Sequence, residues 1–254
     1  MKKGKLALIT GATAGIGEAS AHVLAAEGYN LIINGRRADS LLKLEAEVRE
    51  KYGVECLSLP FDVQDRDAMT EAISGLKNEW RDIDLLLNSA GLAAGLANVH
   101  EADWDDWEQM INTNVKGLIN LTRLVSPIMV SRQLGHIINI TSIAGKEVYN
   151  KGSVYCASKH AVDAFTKGLR IDLAPYNIKV TSIAPGAVNT EFSLVRFRGD
   201  QHKADKVYEG FDPLLANDIA EAVLFVASRP PHVNINDMLI MPTAQANATT
   251  IIRK

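Results

Sequence analysis

Cysteine is nearly absent from this chain of 254 residues, which carries only Cys56 and Cys156. Two thiols are too few for a disulfide framework and point to a reducing, cytoplasmic setting. Cys156 adjoins Tyr155, but no acid or histidine pairs with it legibly, so it reads as a small buried helix residue rather than a nucleophile. Long apolar runs are also missing. No segment approaches membrane-spanning length. The basic N-terminus, MKKGKLALITGA, is continuously apolar only from Leu6 to Ile9, too short for a signal peptide. Charge of one sign is not in excess either, since 27 Lys and Arg against 30 Asp and Glu leave a net charge of −3. That balance argues against nucleic-acid or membrane partners and leaves small molecules. Repeats, low-complexity tracts and interdomain linkers are lacking, so residues 1–254 are expected to form a single domain. No metal site is expected.

Present instead are short β-rich runs alternating with helical segments. Strands are expected at Leu6–Thr10, Tyr29–Asn34, Val54–Leu59, Ile83–Asn88, His136–Thr141, Lys179–Ala184 and Met238–Met241. Helical periodicity marks Gly15–Glu27, Leu41–Tyr52, Ala68–Trp80 and Asp105–Val130. The strands are apolar at nearly every position, as happens when helices cover both faces of a parallel sheet. The pattern predicts an α/β fold, a Rossmann-type doubly wound parallel sheet of about seven strands, with ligands beyond the carboxyl ends of the strands. Gly186–Lys206, charged and without clean periodicity, reads as a mobile loop after the sixth strand.

Tyr155 and Lys159 stand at i and i+4 in VYCASKHAV, neighbours on one helix face. A tyrosine titrates near pH 10, and bringing it to neutrality takes roughly 4 kcal/mol of preferential stabilisation of the phenolate. A nearby ammonium acts in that direction, which makes Tyr155 a candidate general acid or base.

The first strand runs into TGATAGIG, where Gly11, Gly15 and Gly17 permit a tight turn and close approach of backbone amides to a pyrophosphate at a helix N-terminus. An NAD site in this architecture places an acidic residue at the end of the second strand. Here that point reads Asn34, Gly35, Arg36, Arg37. Arginine suits a 2′-phosphate, which favours NADP. The alternative is Asp39 on the ribose, with the arginines facing water. Asp62, at the end of the third strand, could accept from the adenine amino group, although a helix N-cap role for a nearby Asp is equally ordinary.

TGATAGIG, NSAG at Asn88–Gly91, NTNVKG around Asn114, Ser142, and the Tyr155/Lys159 pair stand in the order and spacing of the short-chain dehydrogenase/reductase family, which the chain resembles over essentially its whole length. The resemblance implies an oxidoreductase in which Ser142 hydrogen-bonds the substrate oxygen and Tyr155 exchanges the proton. Lys159 would hold the nicotinamide ribose and lower the Tyr155 pKa, and Asn114 would anchor a water linking Lys159 to solvent. Cofactor contacts would come from Gly11, Thr13, Gly15, Ile16, Gly17, Arg36, Arg37, Asp62 and Val63. Further contacts would come from Asn88, Ala90 and Gly91, and from the nicotinamide clamp Pro185, Gly186, Val188 and Thr190. Ser89 departs from the family's usual asparagine.

Within the family, TEFSLVRFRGD (Thr190–Asp200) and HVNINDMLIMPTAQA (His232–Ala246) are similar to the NADP-dependent 3-hydroxy acid dehydrogenases that oxidise L-serine and L-allo-threonine. A carboxylate substrate needs a fixed cation; Arg196, Arg198, Lys203 and Lys146 are the candidates. A broad carbonyl reductase, a 3-oxoacyl carrier-protein reductase and a non-catalytic NADPH-binding scaffold remain as alternatives. The resemblance also implies a homo-oligomer, a tetramer rather than a dimer, assembled through the helices around Asp105–Val130 and Ser153–Leu173.

Overall fold

The computed structural model describes residues 4–254; Met1–Lys3, the start of the basic N-terminus, lie outside them. Seven strands make one parallel sheet: β1 (Leu6–Ile9), β2 (Asn30–Gly35), β3 (Cys56–Pro60), β4 (Leu85–Asn88), β5 (Gly135–Ile140), β6 (Ile178–Pro185) and β9 (Asp237–Ile240). Their order is β3-β2-β1-β4-β5-β6-β9, with every pairing parallel. The chain winds outward from β1 and returns to begin again at β4, so a crevice opens between the carboxyl ends of β1 and β4.

Alternation along each strand divides the apolar residues between the two faces. Ala7, Ile9, Leu31, Ile33, Leu85 and Leu87 pack with Leu24 of α1 (Gly15–Ala26), Leu44 of α2 (Ala38–Tyr52) and Val223 of α9 (Ala216–Ala227). Leu6, Leu8, Ile32 and Leu86 face the other way. They pack on Met69 of α3 (Arg66–Ser74), Val125 of α5 (Leu118–Arg132) and Leu169 of α6 (Ser153–Leu173). Both faces are therefore dry, as the unbroken apolar strands require. Among the described residues no helix is long and apolar enough to cross a membrane.

Three segments differ from the sequence-based expectation. The helix expected through Trp80 stops at Ser74, where Gly75 caps it, and resumes as a 3₁₀ turn at Asn78–Arg81. The long helix from α4 (Trp104–Met110) into α5 passes through a π-helical stretch at Ile111–Gly117, where Gly117 backs onto the Val63 carbonyl. Gly186–Lys206 is not a loop. It holds β7 (Val188–Asn189), which pairs with β8 (Leu214–Leu215), then α7 (Glu191–Arg196) and most of α8 (Gln201–Tyr208). Thr190 Oγ1 caps α7 through Phe192 N, and Asp200 caps α8 through Lys203 N. These caps satisfy amides that weak periodicity left unexplained.

Candidate active site

A crevice of about 220 Å³ begins at the β1–α1 turn and is lined by Gly11, Thr13, Gly15, Ile16, Arg36, Arg37, Asp62, Val63, Ala90, Gly91 and Thr190. Gly11 turns the chain at φ 66°, and a Cβ there would stand 2.9 Å from Ala90 Cα. Gly17 does not line the crevice; it lets α1 press against the turn, since a Cβ on it would lie 2.2 Å from the Gly11 carbonyl oxygen. Ala14, the N-cap of α1, offers no side-chain cap, so the first amides of the helix face the crevice.

Both arginines after β2 reach the crevice. Arg37 donates to the Thr13 carbonyl at 2.9 Å and pairs with Glu191 at 3.3 Å, while Arg36 lies 3.7 Å from Asp62. Asp39 lies in the first turn of α2 and is not among the crevice-lining residues. Asp65, not Asp62, caps α3. Asn88 does not reach the crevice. Its amide donates to Thr122 Oγ1 at 3.1 Å and to Asn139 Oδ1 at 2.8 Å, which ties β4 to α5 and β5.

A recess of about 100 Å³ continues beyond Gly91 and is lined by Ser142, Tyr155, Lys159, Pro185, Gly186, Val188, Thr190 and Phe192. Ser142 stands just after β5, with its Oγ accepting from Ala144 N at 3.1 Å. Burial pushes the Tyr155 phenol above its ordinary pKa, and neighbouring Tyr149 adds to this; the Arg196 guanidinium and the Ser142 hydroxyl pull it down. Lys159 lines the same recess. Its Nζ donates to the Ile140 carbonyl at 3.0 Å, and burial lowers its own pKa to about 8. Among the protein's cations, the Arg196 guanidinium also acts to lower the Tyr155 pKa. Asn114, expected to anchor a water, commits both amide hydrogens to Leu92 O and Ser158 Oγ and accepts from Leu92 N, so one lone pair remains. It fastens the segment after β4 to α6.

Arg196 was one of four candidate cations, and the structure separates them. Its guanidinium carbon lies 5.2 Å from the Tyr155 ring centre and 5.6 Å from those of Tyr149 and Phe192. It donates through Nη2 to the Tyr149 hydroxyl, while buried Nε finds no hydrogen-bond partner among the described residues. No carboxylate pairs with it there. Lys146 is instead held between Asp163 and Asp237, which corrects its candidacy for substrate, since a cation with two acidic partners has no charge to spare. Lys203 pairs with Asp200, the N-cap of its own helix α8. Arg198, at φ 53°, grips Asp103 and Asp106 at 2.8 Å each. With Gly95 N donating to the Arg196 carbonyl and Glu191 on Arg37, these contacts fold α7 over the recess as a flap. Tyr149 escaped sequence reasoning altogether. Its position against Arg196 is a tertiary contact across 47 residues that no local pattern announces. Among the described residues no cluster of His, Cys, Asp or Glu could hold a metal ion.

The chain as a whole is similar to known proteins. The family profile described as short chain dehydrogenase matches residues 5–199. A probable NADP-dependent dehydrogenase of Haemophilus influenzae is 47% identical over 98% of this chain and 97% of its own. An NADP-dependent 3-hydroxy acid dehydrogenase of Escherichia coli K12 is 45% identical over 96% of this chain and 97% of its own. Among solved structures, the closed form of a serine dehydrogenase complexed with NADP+ superposes with a TM-score of 0.92 at 44% identity, covering 98% of this chain and 99% of that one. Given this profile match and these full-length relatives, the chain belongs to the short-chain dehydrogenase family.

Proposed function

We propose that this protein is an NADP-dependent oxidoreductase that interconverts 3-hydroxy acids, such as L-serine, L-allo-threonine and 3-hydroxypropionate, with their 3-oxo acids. Residues 1–254 act as one catalytic domain. The crevice fits the cofactor: close glycine turns, uncapped amides of α1 and two arginines where a 2′-phosphate falls make a built anion site. Arg36 and Arg37 would hold the phosphate, with Thr13, Gly15 and Ile16 along the pyrophosphate and Asp62, Val63 and Ala90 toward the adenine. Gly91, Lys159, Pro185, Gly186, Val188 and Thr190 would face the nicotinamide ribose and carboxamide. When bound, NADP supplies the hydride acceptor, and its reduced form the donor.

Tyr155 takes the proton of the substrate hydroxyl in oxidation and returns it in reduction. Ser142 holds the same oxygen and orients it toward the phenol. Arg196 binds the carboxylate, and this residue carries the reading: a guanidinium without an acidic partner among the described residues stands against the proton-transferring ring. A neutral-alcohol enzyme has no need of it. Lys159 and Asn114 position the recess from below. The relatives' names as 3-hydroxy acid and serine dehydrogenases agree with this reading.

We further place the enzyme in the cytoplasm as a tetramer. Trp104 at 74% exposure and Ile171 at 76%, on or beside the long helices expected to assemble, favour burial against other copies. The deciding assay follows NADP and NAD reduction with L-serine, D-serine, L-allo-threonine and 3-hydroxypropionate, and the reverse reaction with 3-oxoacyl thioesters. Turnover of free hydroxy acids with NADP is expected. Activity restricted to thioesters would overturn the substrate assignment.

A further inference from the structure

Four alternating charges form a chain outside both the crevice and the recess: Lys146 is held between Asp163 of α6 and Asp237 of β9, and the other oxygen of buried Asp163 is gripped by Lys167 at 2.6 Å. We infer that Lys146 is a positioning residue, which holds the turn that presents Ser142 in register with the face of α6 that presents Tyr155. The inference rests on the roles given to Ser142 and Tyr155 in the functional reading above.

Ser142 and Lys146 are the two ends of one 3₁₀ turn, Ile143–Gly145, which Ser142 caps at its start and Lys146 at its close. Gly145 N donates to the Ser142 carbonyl at 2.8 Å and Lys146 N to the Ile143 carbonyl at 2.9 Å, so the two ends are tied together. Tyr155, Lys159 and Asp163 recur at every fourth position of α6 and share one face of it. The turn lies along that face. At one end the Ser142 hydroxyl bears on the Tyr155 phenol, in the middle a Cβ on Gly145 would stand 2.8 Å from the Lys159 carbonyl oxygen, and at the other end Lys146 reaches Asp163. The middle contact limits approach but does not stop the turn from lifting away. The Lys146 ion pair supplies that restraint, and Asp237 extends it to β9 at the edge of the sheet. The Ser142 side chain has weak anchors of its own: its Oγ accepts from Ala144 N inside the same turn and lies 3.5 Å from the Pro185 carbonyl oxygen, long for a hydroxyl hydrogen bond.

The test is a double-mutant cycle in kcat for oxidation of 3-hydroxypropionate with saturating NADP. Lys146→Met should fold, because Asp163 keeps Lys167 as its partner. It should lower kcat by about 10–100-fold, the scale of a misplacement of about 1 Å at a reacting group, and leave the KM for NADP unchanged. Lys146→Arg, which can still pair with both carboxylates, should recover most of kcat. Asp237→Asn loosens the same restraint from its more exposed end and should lower kcat in the same direction by less. In a Ser142→Ala background Lys146→Met should change kcat by less than about twofold, since the group it positions is gone. An equal loss from Lys146→Met with and without Ser142, or a loss that arginine does not recover, overturns the positioning role alone. A wild type inert toward the acid, or a Ser142→Ala enzyme as fast as wild type, overturns the functional reading and this inference with it.

Discussion

Replacing Arg196 by methionine tests the proposed substrate site most directly. Methionine fits the cage of Tyr149, Tyr155 and Phe192, since its thioether packs well against aromatic edges, so the fold should tolerate the change. Two charge-assisted hydrogen bonds to a carboxylate from its terminal nitrogens are each worth roughly 1.5–3 kcal/mol. Half-burial of the side chain keeps the sum toward the low end, about 3 kcal/mol, which corresponds to a loss of about 100-fold in kcat/KM. Removing the guanidinium also raises the Tyr155 pKa further, because the cation that opposes burial is gone. That second effect acts on every alcohol alike. The assay therefore compares 3-hydroxypropionate with 1,3-propanediol, which keeps the reacting carbinol and replaces the carboxylate. The acid should lose about 100-fold more than the diol. An equal loss on both substrates would refute carboxylate binding by Arg196 and leave only an influence on the phenol.

Tyr155→Phe should lower kcat by about 10²–10⁴-fold, the usual contribution of a positioned acid or base, while the NADP dissociation constant by fluorescence titration stays within about threefold. Lost cofactor binding would instead make the residue structural. Arg37→Ser should weaken NADP by about 10–100-fold in calorimetry and leave NAD unchanged, as expected for removal of a charged phosphate contact. His136, buried against Thr181 with Nδ1 unpartnered, has its pKa lowered to about 3 by burial and by Lys179 and Lys5. The unfolded chain takes up this proton below about pH 6.5 and the folded one does not. Stability should therefore fall as pH drops from about 6.5 toward 3, by up to about 1.4 kcal/mol per unit. Urea titrations of wild type and His136→Gln between pH 7 and 4.5 should differ in slope by one proton, and parallel slopes would contradict the assignment.

Most of the fold was legible because its signals are local. Leu8, Ile32 and Leu86 belong to strands buried on both faces, which read as unbroken apolar runs, and Gly11 marks a turn that only glycine accommodates easily. The crevice followed, since a doubly wound sheet has one place for it. What stayed hidden depends on pairings distant in sequence. Lys146 looked free until Asp237, 91 residues away, came to lie against it. Likewise, the shared helix face of Lys159 and Tyr155 said nothing of the Ile140 carbonyl to which the ammonium also donates. The π-helical turn around Asn114 and the two short helices after β7 owe their form to packing and to the caps Thr190 and Asp200. Those caps were the one available clue, and they were masked by the density of charge around them.

The flap over the recess is pinned by Glu191 on Arg37 at one end and by Arg198 on Asp103 and Asp106 at the other, and most of these side chains are largely open to solvent. Ion pairs of that kind are each worth about 0–1 kcal/mol and weaken as salt rises. Such a fastening biases a latch without locking it. Rising ionic strength should therefore loosen this closure before it disturbs the dry core beneath.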